Sequence, residues 1–204
     1  MEYPSKLIED AVNEIAKLPG IGKKSALRIA LHLLKQEEER TQALSNALVN
    51  LRTKTQYCQR CHNIADAPLC AVCSNKNRDH SIICVVETTT DLIAIENTSQ
   101  YRGTYHVLGG VISPIEGISP GDIAIDLLLS RVGEPESEVK EILLALSATM
   151  EGDTTSFFIT KKLRPYDLKI TTIARGVPIG SELEYADEIT LGRSIVGRKI
   201  YEEG

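Results

Sequence analysis

The chain has 204 residues, 42% of them apolar and 25% charged, with a net charge of −5. That balance suits a globular protein with a core of its own and excludes a disordered chain, a collagen-like repeat or a low-complexity fibre. No run of 18 apolar residues occurs, and Met1–Asp10 lacks a basic stretch followed by an apolar one, so neither a membrane span nor a secretory signal is expected and the cytoplasm is. The charge is uneven: residues 1–57 carry nine Lys and Arg against seven Asp and Glu, residues 58–80 three against two, and residues 81–204 eleven against nineteen. A nucleic acid would therefore meet the N-terminal part, while the acidic remainder repels phosphate.

In chain order, Lys6–Leu18 reads as an amphipathic helix, with Leu7, Ile8, Ala11, Val12 and Ile15 at helical spacing. Pro19-Gly20 breaks it. Further helices are expected over Lys23–Lys35 and Glu37–Lys54. A cysteine cluster spans Cys58–Cys73. The run Ile82-Ile83-Cys84-Val85-Val86 has the pattern of a strand buried on both faces, with Cys84 as a core thiol. The following segments alternate: helix Thr89–Asn97, strand Thr104–Leu108, helix Asp122–Val132, strand Ile142–Leu146, helix Thr154–Leu163 and strand Lys169–Ala174. Such alternation predicts an α/β layer with a mostly parallel sheet. The fold class is thus a multi-module α+β chain.

Cys58-x-x-Cys61 and Cys70-x-x-Cys73 are two matched pairs eight residues apart. Each pair sets two sulfurs on one side of a tight turn, and two such turns complete a tetrahedron around Zn2+. All four positions are sulfur, so the metal would be structural. Two alternatives compete. A disulfide pair is disfavoured in a cytosolic chain. Haem attachment matches Cys58-Gln-Arg-Cys61-His62 but leaves the second pair without a purpose.

Leu18-Pro19-Gly20-Ile21-Gly22-Lys23-Lys24-Ser25-Ala26 lies between two helices. Both glycines are expected to allow a tight turn at positive φ that opens a helix, whose free N–H groups can hold a phosphate oxygen. Lys23 stands at the mouth of the turn. Lys24 and Arg28 share the polar face, with Lys35 close to the same direction. Together they form a candidate phosphate clamp that ignores base sequence. An ordinary helical hairpin with a solvated face is the competing reading. Further on, Glu87 follows the apolar run, and Glu151 and Asp153 follow the next central strand through a short loop. Acids past the carboxyl ends of parallel strands lie where such sheets place their sites, and three together could hold Mg2+.

In this order, the helix-hairpin-helix, the four-cysteine module and the α/β segment opening at Ile82–Glu87 resemble the bacterial RecR family of recombination mediators. Tyr105-His106-Val107-Leu108-Gly109-Gly110, Ile112-Ser113-Pro114, Glu151-Gly152-Asp153 and Ala174-Arg175-Gly176-Val177-Pro178-Ile179-Gly180 carry the resemblance over essentially the whole chain. It departs at Asp153, where a second Glu is expected, and at Glu116, where many relatives have Asp. The resemblance implies four regions: a DNA-binding helix-hairpin-helix over 1–54, a four-cysteine zinc finger over 55–80, a Toprim domain over 81–175 and an oligomerisation segment over 176–204. It further implies a ring-shaped homotetramer around single- or double-stranded DNA. The ring would work with RecO, and in some bacteria RecF, to load RecA onto DNA coated by single-strand binding protein. It implies no catalysis, and acids that contact RecO or, at most, Mg2+. The alternatives are a Mg2+-dependent Toprim strand-breaking enzyme using Glu87, Glu151 and Asp153, and a protein-interaction hub with no affinity for DNA.

Overall fold

The computed structural model describes residues 3–180, 182–198 and 200; of the segment 176–204, positions 181, 199 and 201–204 lie outside the described residues. The chain divides into two compact units, Met1–Thr55 and Gln56–Gly204.

The first unit holds α1 (Lys6–Ile15), α2 (Lys23–Leu33) and α3 (Glu38–Lys54). Helices α1 and α2 close over a small core of Val12, Ala26 and Ala30, flanked by Ile8, Ile15, Ile21 and Leu27. The first two helices end earlier than their apolar periodicity suggests; after α1, Lys17 and Leu18 bond back in tight turns to Glu14 and Ile15, and after α2, Lys35 and Gln36 do the same to His32 and Leu33. Helix α3 buries none of its residues.

The second unit starts with the short antiparallel pair β1 (Gln56–Tyr57) and β2 (Ile64–Ala65), followed by the single turn α4 (Ala71–Ser74). A four-stranded parallel sheet follows, in the order β4-β3-β5-β6, built from β3 (Asp79–Val86), β4 (Gly103–Val107), β5 (Glu141–Ala145) and β6 (Lys169–Thr172). Crossovers run through α5 (Thr89–Asn97), α6 (Ile125–Val132) and α7 (Met150–Leu163). Alternation along β3 serves two cores. Ile83 and Val85 pack with Ile142, Leu144, Leu128 and Ile159 on one face. Cys84 and Val86 pack with Leu92, Tyr105 and Val107 on the other. Cys84 is fully buried, and burial pushes its thiol up to about 12, which makes it an inert core residue.

Two expectations shift. Asp122 does not begin α6: it closes a capping box with Ser119 on a separate 3-10 turn, Pro120–Asp122, and the α-helix opens at Ile125. Helix α7 begins at Met150 rather than Thr154, because Thr149 caps it by accepting the Gly152 N–H at 3.1 Å. Glu151 and Asp153 therefore lie in a helical first turn, not in a loop. A helix α8 (Glu188–Val196) follows the sheet, with Asp187 accepting from the Thr190 N–H at 2.8 Å.

Candidate metal centre and nucleic-acid interface

The four cysteines converge. Cys58 and Cys61 flank one knuckle, in which the Cys58 N–H bonds to the Asn63 carbonyl at 2.7 Å and the His62 N–H to the Cys58 carbonyl at 2.9 Å. His62 completes this turn at a φ of 59°. Cys70 and Cys73 flank the second knuckle, and the four Sγ atoms lie within 4.8 Å of one another, all buried. Cys61 and Cys70 Sγ are 3.6 Å apart. A tetrahedral Zn2+ with bonds of about 2.3 Å sets its sulfurs about 3.8 Å apart. The backbone prepares the sulfurs for negative charge: the Cys70 N–H donates to Cys58 Sγ at 3.3 Å and the Cys73 N–H to Cys70 Sγ at 3.4 Å. Hydrogen bonds from Cys61 and Cys73 hold the Cys70 thiol well below its ordinary range. The donor set, closed and all sulfur, fits zinc, which when bound would be held by these four residues and supply cross-linking. The four sulfurs form one cluster, which a disulfide or a haem thioether pair at Cys58 and Cys61 would leave half unused.

The His62 ring stacks on Tyr57 at 4.5 Å between centroids, and its Nδ1 lies 3.2 Å from the Val107 carbonyl. The Val107 N–H bonds to the Cys61 carbonyl at 2.8 Å, so the first knuckle covers the open edge of β4. Thr89 Oγ1 donates to Asn63 Oδ1 at 3.0 Å, tying α5 to the same knuckle. Arg131, only 3% exposed, also bonds to β4, donating to the Tyr105 carbonyl at 2.8 Å and to Thr104 Oγ1 at 2.6 Å. Burial lowers its pKa, while the cysteine cluster, Cys73 first, pulls it back up. Nothing in the sequence pattern distinguishes Arg131 from an ordinary helix cation; it sits beside apolar Val132 in the last turn of α6.

The three acids are not gathered as a metal site. Among the described residues, the four cysteines are the one group of three or more His, Cys, Asp or Glu side chains close enough to share an ion. Glu87, just past β3, accepts the Ser147 N–H at 2.7 Å across the crevice between β3 and β5. Asp153 pairs with Arg175 at 2.7 Å and faces Arg193 at 3.9 Å. The Arg175 guanidinium holds the Asp153 carboxyl below the usual carboxylate range. Glu151 shares the first turn of α7 with Asp153, where the helix N-terminus favours negative charge.

In the first unit, Gly20 adopts a φ of 77°, but Gly22 does not share it. Gly22 is the extended N-cap of α2, since the residue before a helix takes that conformation, and its carbonyl accepts the Ala26 N–H at 2.9 Å. Nothing stands within 4 Å of where a Cβ would lie on either glycine, so the turn is open to an approaching phosphate. Lys23, Lys24 and Arg28 are exposed at the start of α2, and Lys24 and Arg28 line one shallow trough with Leu27, Leu31, His32 and Lys35. Residues 15–36 contain no Asp or Glu. Among the described residues, Lys23, Lys24, Arg28 and Lys35 enter no ion pair, whereas Lys6 and Lys17 of the neighbouring helix region do. Helical hairpin, cysteine module and parallel sheet in series define a multi-module α+β protein with a closed, all-sulfur metal centre.

Family models match the chain in four consecutive stretches: a RecR helix-hairpin-helix over residues 8–52, a RecR zinc finger domain of the four-cysteine type over 55–75, a Toprim domain over 81–174 and a RecR C-terminal segment over 176–199. Recombination protein RecR of Cytophaga hutchinsonii is 59% identical over 202 residues, covering 99% of this chain and 98% of its own. That of Parabacteroides distasonis is 60% identical over 196 residues, covering 96% and 93%. That of Flavobacterium johnsoniae is 56% identical over 203 residues, covering 100% and 98%. The chain belongs to the RecR family, the recombination mediators of DNA repair.

Proposed function

We propose that the chain is a non-catalytic DNA clamp, a ring-shaped homotetramer that acts in the cytoplasm with RecO, and with RecF where it occurs, to load RecA onto single-stranded DNA covered by single-strand binding protein. The observation that carries the reading is the acid-free stretch 15–36, whose exposed, unpaired Lys23, Lys24 and Arg28 flank an open Gly20–Gly22 turn. In a chain of net charge −5, that concentration of cations is the footprint of a polyanion partner.

Self-association is supported by apolar surface. Leu44, Leu48 and Leu51 make an exposed stripe on α3, and Ile189, Ile195 and Val196 are exposed on α8. A single chain cannot surround DNA, so encirclement needs several copies. The matched stretches support a division into regions 1–54, 55–80, 81–175 and 176–204. Glu87 and Glu151, on the acidic part of the chain, offer contacts to a basic partner such as RecO. A Toprim strand-breaking reading needs Asp153 free, and its carboxylate is engaged by Arg175.

Reversing charge with Lys23→Glu and Arg28→Glu together is expected to abolish DNA association in a gel shift while leaving the oligomer intact by sedimentation. Unchanged affinity would overturn the assignment of the hairpin.

A further inference from the structure

The basic residues of α2 continue past the hairpin into the turn that follows the helix. Lys24, Arg28, His32 and Lys35 follow one another at steps of four, four and three residues, which keeps them on one face of the helix line. With Leu27 and Leu31 they line a trough of about 440 Å3. At 1.5 Å per residue, the helical part of the row, Lys24 to His32, is about 12 Å long, and Lys35 follows in the turn after α2. Leu31 is 42% exposed, an apolar surface beside these basic residues.

A duplex strand fits this row poorly. Each base pair turns the strand by about a tenth of a revolution, so over three steps the backbone swings away by about a third of a turn from residues on one helix face. Its bases are stacked inside and present nothing to Leu27 and Leu31. A single strand can straighten along the row, set phosphates on the cations and lay an unstacked base against Leu27 and Leu31. Apolar contact of that kind tolerates any base, because each has a flat apolar face.

We propose that the exposed face of α2 and the turn after it form a track for single-stranded DNA, with Lys24, Arg28, His32 and Lys35 holding successive phosphates and Leu31 seating a base. The proposal rests on the reading of the hairpin as a DNA clamp and adds to it His32, Lys35, Leu31 and a strand preference.

The test is fluorescence anisotropy of the full-length protein with labelled oligothymidine and with a duplex of the same length, across a salt series. Lys35→Gln is expected to lower the slope of log affinity against log salt by about 0.7 on the single strand and to leave the duplex unchanged. Leu31→Ser is expected to weaken the single strand about fivefold with the slope unaltered. Both positions are exposed, and sedimentation checks that each variant keeps the wild-type assembly. If both variants bind both DNAs as wild type does, while Lys23→Glu with Arg28→Glu abolishes binding, the clamp stands and the track is wrong. If that double reversal changes nothing, the hairpin reading fails and the track with it.

Discussion

The Val107 N–H donates to the Cys61 carbonyl at 2.8 Å, so a residue of the sheet edge and a cysteine of the first knuckle share a hydrogen bond. His62 adds a second contact to the same residue through Nδ1. The cysteine module is therefore built onto β4 and occupies the edge an open sheet would expose. Binding free energy of a structural zinc is folding free energy for the residues it orders. Chelation at neutral pH should lower the melting temperature by about 10 °C and open the Val107 amide to hydrogen exchange ahead of those of β5. Equal protection of both strands before and after chelation would show that the module merely hangs from the sheet.

Arg131 of α6 holds the same strand and feels the charge of the cysteine cluster. Replacing it with Met removes the donors to the Tyr105 carbonyl and Thr104 Oγ1 in a buried site, at a cost of about 2–3 kcal/mol. Its positive charge also supports the thiolates, so Arg131→Met should release zinc faster to a chromogenic chelator. Destabilisation with unchanged zinc release would limit Arg131 to its hydrogen bonds.

His106 is fully buried in β4, where its Nε2–H donates to the Ala124 carbonyl at 2.6 Å. Burial, with the nearby Arg131 charge, lowers its pKa from 6.5 to about 4. As pH falls, the unfolded chain takes up this proton near 6.5 and the folded chain only near 4. Stability present above pH 6.5 is thus lost progressively between the two, by about 3 kcal/mol in all. Between pH 7 and 5, urea titrations should show the wild type losing about 2 kcal/mol more than His106→Gln. Cysteine protonation burdens both proteins alike, so parallel profiles would refute a role for His106.

Asp153 holds Arg175 and faces Arg193 of α8. The pair is partly exposed, so Asp153→Asn should cost under about 1 kcal/mol of global stability. Its local effect should be larger, with faster tryptic cleavage at Arg175 and Arg193. An unchanged digestion pattern would mean that the ion pair does not restrain this segment.

The sequence made some of these features plain and hid others, for physical reasons. Ile82–Val86 reads as a central strand because both its faces are buried, and the cysteine pairs read as a metal site because ligand spacing is local. The start of α7 was hidden because the apolar periodicity begins only at Phe157 and Phe158, while Thr149 and Gly152 are poor helix formers on propensity. The cap geometry overrides that propensity, and Gly152 is needed because a Cβ there would collide with the Ser147 carbonyl. A capping Thr three residues before a buried Gly was the available signal. The use of Asp153 by Arg175, 22 residues on, and the bonding of Arg131 to β4 follow from chain crossings that no local pattern encodes.

Whether the protein clamps DNA without cutting it is decided with a labelled DNA carrying a single-strand gap, incubated with the purified protein and Mg2+ and then divided between a native and a denaturing gel. A salt-sensitive shift with both strands intact is expected. Cut strands, or no shift with or without RecO, would contradict it.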